Sequence, residues 1–409
     1  MPAPTRQRRL DSDMPLRVFV AHPGAELFGS DRMLLESVTG FIDAGCEVIV
    51  TTPAHGPLLD HIQRLGGVIE PCPTLVLRKN LLRPLGLLRL LGQSARGLVT
   101  GLRLVVRVRP DVVYVSTLTI PLWTVIGKLT RTPVVCHVHE AESTAPRWMK
   151  RLLAAPLLLT DRIIANSDFS AGVLVSAFSR LAGRTTVVYN GVAGPASPGT
   201  ARAELSDGLR LAYVGRLSER KGVDVAISAL SHLRARGIPA RLDIVGSVFA
   251  GYEDYERSLR TLARAGGLGD VVRFVGFVPD VWNAYAECDV AVVPSRLDEP
   301  FGNTAVEALL AARPVIVSDT SGLREASDGY DSALRVTAGD PLALAEALER
   351  IVTEWHRFRH AAQLDRVLVG RRHSPLQYRR RVAAIVASVE HRGATSTKRV
   401  VLSHQLQGK

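Results

Sequence analysis

Twice along this chain, short apolar runs alternate with stretches of helical spacing, and a Pro/Gly/Ser segment parts the two series. The first series has strand-like runs at 16–21, 46–51, 68–69, 111–116, 133–139 and 162–166. A helical stretch at about 30–44 and a further apolar run at 58–65 are interleaved with them. The second has runs at 209–214, 241–245, 271–275, 289–293, 314–318 and 333–336. Brief, continuously apolar strands separated by helices imply a parallel sheet covered on both faces. The strand and turn at 186–192 lead into Ala193-Gly194-Pro195-Ala196-Ser197-Pro198-Gly199-Thr200, which has the composition of an interdomain linker. The predicted class is therefore α/β, with two domains facing across a cleft. The domains are expected at 14–193 and 209–374, with a linker at 194–208.

With 409 residues the chain has room for two ordinary domains, and 46% hydrophobic with 22% charged residues is a soluble, globular balance. Residues 1–13 are polar and basic and run straight into the first strand, unlike a signal peptide. No apolar run long enough to cross a bilayer is free of charge. Cys46, Cys72, Cys136 and Cys288 are scattered without a Cys-x-x-Cys pair, which points to a reducing, cytoplasmic compartment and away from zinc or disulfides. The net charge of +12, with 45 of 51 basic residues being Arg, is consistent with codon composition alone and also allows contact with anionic lipid, nucleic acid or phosphorylated ligands. Aromatics are only 5% and no zinc finger or RNA-recognition signature appears, so nucleic acid is not expected as a partner.

The stretch from Pro294 to Leu309 concentrates the most chemistry. An apolar strand ends, a Pro- and Gly-containing turn follows, and an Ala/Leu helix runs to about Ala312. Glu299 and Glu307 bracket the turn, and the N–H groups of Gly302, Asn303 and Thr304 lie between them. A carboxylate can accept from two vicinal hydroxyls, and helix N-termini at strand ends receive phosphates. The competing reading is a capping box, in which Thr304-x-x-Glu307 merely satisfies the helix's own first turn.

A second loop, Gly215-Arg216-Leu217-Ser218-Glu219-Arg220-Lys221-Gly222, joins the first strand of the second series to a helix. Its glycines permit tight turns, Arg216 offers a planar fork for phosphate and Lys221 a mobile point charge. Two such cations can balance a diphosphate without a metal. In the first half, the loop from His22 to Ser30 holds Gly24 and Gly29, a weak phosphate-turn signal. His137-Val138-His139-Glu140 closes a strand, with both His on one face. The spacing lacks further ligands for zinc; one His at the strand tip can meet a substrate hydroxyl, and the competing reading is a structural His satisfied at a strand end.

Residues 78–109 contain Arg78, Lys79, Arg83, Arg89, Arg96, Arg103, Arg107 and Arg109 and no acid. Leu81, Leu85, Leu88, Leu91, Ala95, Leu98, Leu102 and Val105 recur at helical spacing, with Arg89, Arg96, Arg103 and Arg107 in a sector beside them. Such a helix can dock on an anionic membrane surface or pack into a core with a solvated basic flank.

The Gly215-Arg216…Lys221-Gly222 loop, with Glu299-Pro300-Phe301-Gly302 and Glu307 at Glu-x7-Glu spacing, resembles the retaining glycosyltransferases of family 4. The likeness runs from about residue 16 to 392 and is stronger in the second half. It implies the GT-B fold, two Rossmann-like domains, and a nucleotide-sugar donor (a UDP- or GDP-sugar) held mainly by the second. It implies that Glu307 takes the ribose hydroxyls and Glu299 hydroxyls of the transferred sugar, with Phe301, Gly302, Asn303 and Thr304 supporting. It makes Arg216 and Lys221 the diphosphate clamp, beside Gly215, and sets Gly29 near the phosphates. His139, or else His137, stands beside the donor sugar, and Glu140, Asn166 and Ser167 lie on the acceptor side. The implied catalytic group is His139, Arg216, Lys221 and Glu299, with no metal and no further cofactor. The helix at 375–392 is expected to cross back to the first domain, and the tails at 1–13 and 393–409 to be mobile.

The implied activity is retaining transfer of a hexosyl-type sugar to a saccharide or lipid-linked saccharide in envelope or polysaccharide biosynthesis, at the inner membrane face. Two other readings stand beside it: a GT-B epimerase or phosphorylase, and a non-catalytic membrane-surface scaffold using 78–109.

Overall fold

A computed structural model describes residues 14–27, 29–77, 84–141, 143–197, 199–249 and 251–390. The two tails, and Arg78, Lys79, Leu81 and Arg83 of the basic stretch, lie outside the described residues.

The first series forms a seven-stranded sheet from β1 (Arg17–Ala21), β2 (Glu47–Thr51), β3 (Val68–Ile69), β4 (Val112–Val115), β5 (Val134–Val138), β6 (Arg162–Ala165) and β7 (Thr185–Val187). The order is β3-β2-β1-β4-β5-β6-β7 and every pairing is parallel. The second series forms β8 (Leu209–Val214), β9 (Ala240–Val245), β10 (Val272–Gly276), β11 (Val290–Val293), β12 (Val315–Ser318) and β13 (Ala333–Val336). Its order, β10-β9-β8-β11-β12-β13, is again wholly parallel. Both sheets reverse their strand order once, beside β1 and beside β8. That switch point is where an open parallel sheet leaves a crevice at its strand ends.

Burial explains the sequence pattern. β4, β5 and β11 are buried along their whole lengths, as strands covered on both faces must be. The apolar run at 58–65 is helical, Pro57–Arg64, with Pro57 at its start and Leu58, Leu59 and Ile62 facing inward.

The last helix, Pro375–Glu390, leaves the second domain and packs on the first helix, Gly29–Asp43. Tyr378, Val382, Val386 and Val389 join the core made by β1, β2 and β4. The fit is close: a Cβ on Gly40 would stand 2.8 Å from the carbonyl oxygen of Arg379. Arg379 Nε also donates to Glu36 over 2.7 Å.

The basic stretch forms a 25-residue helix, Pro84–Val108. Leu98, Leu102, Leu104 and Val105 pack into the core beneath the sheet, so this end of the helix is an ordinary covering element. Ala95, counted in the apolar arc, is exposed. Arg107, counted among the unopposed cations, is paired with Glu70 at 2.6 Å, an acid supplied by the chain just before the stretch. Arg96 and Arg103 are exposed. No helix among the described residues is long and apolar enough to cross a membrane.

Candidate active site

The site is assembled at the strand ends on either side of the switch point of the second sheet. β8 ends at Val214, and the loop 215–222 follows with a short turn at Glu219–Lys221. β11 ends at Val293, and the turn 294–302 follows, leading into the helix Asn303–Leu310. Gly222 locks the two loops together. Its φ is 67°, and a Cβ there would lie 2.0 Å from the carbonyl oxygen of Pro294.

This contact brings Lys221 to Glu299. Lys221 Nζ lies 2.8 Å from Glu299 Oε1, and Ser295 Oγ donates to the same oxygen at 2.7 Å. Arg220 stands 3.9 Å from Glu299 Oε2 and donates to the carbonyl of Asp298 at 2.6 Å. Glu299 is buried. Burial opposes its charge, yet Lys221 and Arg220 hold its carboxyl below the ordinary value, so it is ionised at neutral pH. Arg220 and Ser295 had no role in the sequence reading. Arg220 had a visible signal, a third cation in the Arg216–Lys221 loop; nothing marked Ser295.

Arg216 lies over the ring of Phe249, 3.7 Å from its centroid. Burial, then the neighbouring Arg220, lowers its pKa, while Glu299 and Asp31 act the other way. Asp31 belongs to the first domain, so Arg216 sits where the domains meet.

Glu307 does not form the capping box. The helix Asn303–Leu310 has Gly302 at its N-cap and no side-chain cap. Instead the single hydroxyl proton of Tyr285 is shared between Glu307 Oε2, at 3.2 Å, and the carbonyl of Thr304, at 3.1 Å. Burial pushes the Glu307 carboxyl up to about 7, and Arg32, Tyr285 and Lys221 pull against that rise. The two carboxylates of the Glu-x7-Glu pair thus differ: Glu299 is neutralised by cations, and Glu307 stands on the edge of protonation. Phe301 is buried and stacks on Tyr189 at 5.8 Å, with His373 at 5.4 Å. Its side chain therefore ties the Glu299 turn to the point where the last helix crosses back. Gly302 must be glycine: its φ is 133° and a Cβ would meet Leu323 at 2.7 Å.

Gly29 is the first residue of a helix and not part of a loop, and a Cβ on it would lie 3.9 Å from Asn303 Nδ2. The first turns of two helices, one from each domain, therefore meet. Asn190 Nδ2 donates to Asn303 Oδ1 at 2.8 Å, and Ser143 hydrogen-bonds Asp298, both from the first domain to the second.

On the first domain's side, the rings of His137 and His139 lie 4.1 Å apart on one face of β5. His137 is buried, with Nδ1 2.5 Å from Tyr114 Oη, and Tyr114 continues to Ser37 and on to Tyr378 of the last helix. His139 is the half-buried one of the two. Burial, then His22, pushes it down to about 3, so it is neutral at working pH. His22 itself bridges Ser116 and Asp31, at 2.5 and 2.7 Å. Glu140 accepts from the hydroxyl of Thr117 and, at 3.1 Å, from the N–H of His139.

Asn166 and Ser167 are the residues expected on the acceptor side. Both are buried. Ser167 caps the helix Asp168–Ala177 by accepting from Ser170 N at 2.9 Å, and its hydroxyl donates to the carbonyl of Pro300 at 2.5 Å. Glu325 accepts from the N–H groups of Asp168 and Phe169 at 2.8 and 2.6 Å. This end of the first domain clamps the Glu299 turn. Among the described residues, no group of three or more His, Cys, Asp or Glu could hold a metal ion.

Two family models divide the chain as the two sheets do. Residues 29–193 match Glycosyltransferase Family 4 and residues 202–365 match Glycosyl transferases group 1. The chain belongs to the group 1 glycosyltransferases of family 4. Its two parallel-sheet domains have the GT-B fold of such glycosyltransferases. Among relatives, D-inositol 3-phosphate glycosyltransferase 2 of Catenulispora acidiphila is 36% identical over 211 residues, 48% of this chain and 49% of that protein. D-inositol 3-phosphate glycosyltransferase of Saccharomonospora viridis is 35% identical over 205 residues, 47% of each chain. The chain thus spans about half the length of the curated relatives it matches. Anabaena HepE in complex with UDP-glucose superposes with a TM-score of 0.76 at 21% identity, covering 91% of this chain and 100% of that one. Sucrose-phosphate synthase of Thermosynechococcus elongatus gives 0.73 at 19% identity, covering 92% and 100%.

Proposed function

We propose that this group 1 glycosyltransferase moves a hexosyl-type sugar, with retention, from a UDP- or GDP-sugar to a saccharide or lipid-linked saccharide acceptor. The observation that carries the reading is the Lys221–Glu299 pair at 2.8 Å, with Arg220 beside it and Glu307 one helical turn into the next helix. Complexes of HepE with UDP and UDP-glucose support a nucleotide-sugar donor. In this reading Glu307 accepts from the ribose hydroxyls and Glu299 from hydroxyls of the sugar. The first-turn N–H groups of Asn303 and Thr304, which have no acceptor within their own helix, meet a phosphate.

The mechanism follows from charge. As the glycosidic bond breaks, negative charge gathers on the diphosphate and positive charge on the sugar ring. Arg216 and Lys221 stand at fixed positions where the first develops, so they favour the transition state over the ground state. Glu299 is already neutralised by two cations, which makes it a poor nucleophile. A front-face substitution fits better: the departing phosphate takes the acceptor's proton while its own bond to the sugar breaks. His139, neutral and at the strand tip, offers the donor sugar a hydrogen bond without adding charge near the forming cation. Glu140, on the same strand end, lies toward the acceptor.

The acceptor is the less constrained part. The relatives named above act on D-inositol 3-phosphate, a phosphorylated polyol, so that acceptor joins the saccharides in the test. We place the activity in envelope or polysaccharide biosynthesis at the cytoplasmic membrane face, with Arg96 and Arg103 toward anionic lipid.

The test is release of nucleotide from UDP-glucose and GDP-mannose, with and without each acceptor class, and the anomeric configuration of the product by NMR. Acceptor-dependent release with retention supports the reading. Release without acceptor, or an epimerised donor, points to hydrolase or epimerase chemistry. No binding of either donor leaves a scaffold. Activity is expected to persist in EDTA; loss restored by a divalent ion overturns the metal-free clamp.

A further inference from the structure

The donor half of the cleft is not built by the second domain alone. Arg32 lies in the first turn of the helix Gly29–Asp43. Its Nη2 donates to the carbonyl of Pro279, 2.8 Å away, in the loop between β10 and the short helix Trp282–Glu287. That helix carries Tyr285, the hydrogen-bond partner of Glu307. The charge of Arg32 reaches both Tyr285 and Glu307. Three residues earlier, Gly29 stands against Asn303, the first residue of the Glu307 helix. One arginine of the first domain is therefore docked on the loop that leads to Tyr285, the partner of the carboxylate on which the donor would rest.

We propose that Arg32 is a positioning residue through which the first domain sets the donor affinity of the second: docked on Pro279, it holds the loop that leads to Tyr285 and lays its positive charge toward Glu307, favouring the acceptor-only carboxylate form. The inference rests on the reading of Glu307 as a donor contact. A carboxylate can accept from both hydroxyls of a ribose, whereas a protonated carboxyl spends one oxygen as a donor. Burial raises Glu307, and with its neighbours in place it rests at about 7, so a modest change of field decides its state. Three groups pull it back: Arg32 from the first domain, Tyr285 from the helix Trp282–Glu287, and Lys221 from the loop after β8. Arg32 weighs most among them, and it alone comes from across the cleft. When the domains separate, Pro279 and Glu307 lose Arg32 together, Glu307 takes up a proton near neutrality and the hold on the nucleotide weakens. Cleft closure and donor binding are thereby coupled through one side chain.

The test is calorimetric titration of the full chain with UDP-glucose and with GDP-mannose, whose diphosphate diesters do not titrate near pH 7, across pH 6 to 9. The parent should bind more tightly as pH rises, with a midpoint near 7. Arg32→Ala should bind at least about fivefold more weakly at pH 7, approach the parent at pH 9 and show a higher midpoint. Arg32→Lys should restore the parent's midpoint. Glu307→Gln should abolish the pH dependence in both the parent and the Arg32→Ala background. An unchanged midpoint in Arg32→Ala, or an equal loss of affinity at every pH, overturns the proposal while leaving Glu307 as a donor contact. A pH dependence that survives Glu307→Gln overturns the proposal together with that reading, as does a parent that binds neither donor.

Discussion

The two domains share a sheet design but reach their polar centres by opposite means. In the second domain, Lys221, Arg220, Glu299 and Ser295 come from two loops at adjacent strand ends, and their contacts are charge against charge. In the first, His137, Tyr114, Ser37 and Tyr378 come from two strands, the first helix and the last, and their contacts are buried and neutral. A charged loop pair is ready to exchange an internal partner for an anionic ligand. A buried neutral chain is suited to holding shape, because every atom removed leaves a partner stranded. On the proposed reading, the second domain supplies charge stabilisation and the first supplies orientation.

The harshest break of that contrast is Lys221→Ala, and Arg216→Ala beside it. On the proposed reading each removes a cation from the place where diphosphate charge develops, so turnover should fall about a hundredfold, or about 3 kcal/mol. The check is steady-state kinetics; a change confined to KM would make these cations mere ground-state contacts.

Glu307→Ala is next. Loss of a charged hydrogen-bond acceptor should weaken donor binding by about 2 kcal/mol while thermal stability stays close to the parent's. Stability falling with affinity intact would make Glu307 a structural partner of Tyr285.

The neutral centre is broken by acid. His139 has a folded-state pKa of about 3 against an ordinary 6.5, so its neutral form is favoured by the fold. The stability it contributes is complete above pH 6.5 and is lost as pH falls toward 3. Denaturant unfolding across that range should show a smaller acid loss for His139→Asn than for the parent. Equal losses would place the acid sensitivity in His137 and His373, whose pKa values burial also lowers.

The smallest effect concerns the basic helix. Arg89, Arg96 and Arg103 changed together to Gln should reduce co-sedimentation with anionic liposomes by about 1 kcal/mol for each residue near the surface, and less so in high salt. Arg107 should contribute little, since Glu70 already holds it. Equal binding of parent and variant would leave the arginines as a solvated flank.

Much of this could be read from the chain without coordinates. The paired series of apolar runs implies two parallel sheets because period and burial are local properties of a strand. Glu299, Glu307, Arg216 and Lys221 stand out because strand, turn and helix follow one another within a few residues. What could not be read is who meets whom. Whether Glu307 caps its own helix or faces outward was open until Tyr285, 22 positions away, was seen to take it. Ser167 was expected on the acceptor side, and its hydrogen bond to Pro300, 133 positions away, could not be read because the two domains come together there. Arg32 carried no signal at all, since its partner at Pro279 is 247 positions distant.

By itself, then, the sequence determined the sheets, the glycine turns and the types of charge at the strand ends, all of which depend on residues close along the chain. The tertiary structure decided the pairing of those charges, the split between an ionised Glu299 and a Glu307 poised near neutrality, and the reach of the first domain into the donor cleft. The physical reason is that desolvation and Coulomb fields depend on distance in space, and a pKa belongs to a site rather than to a residue.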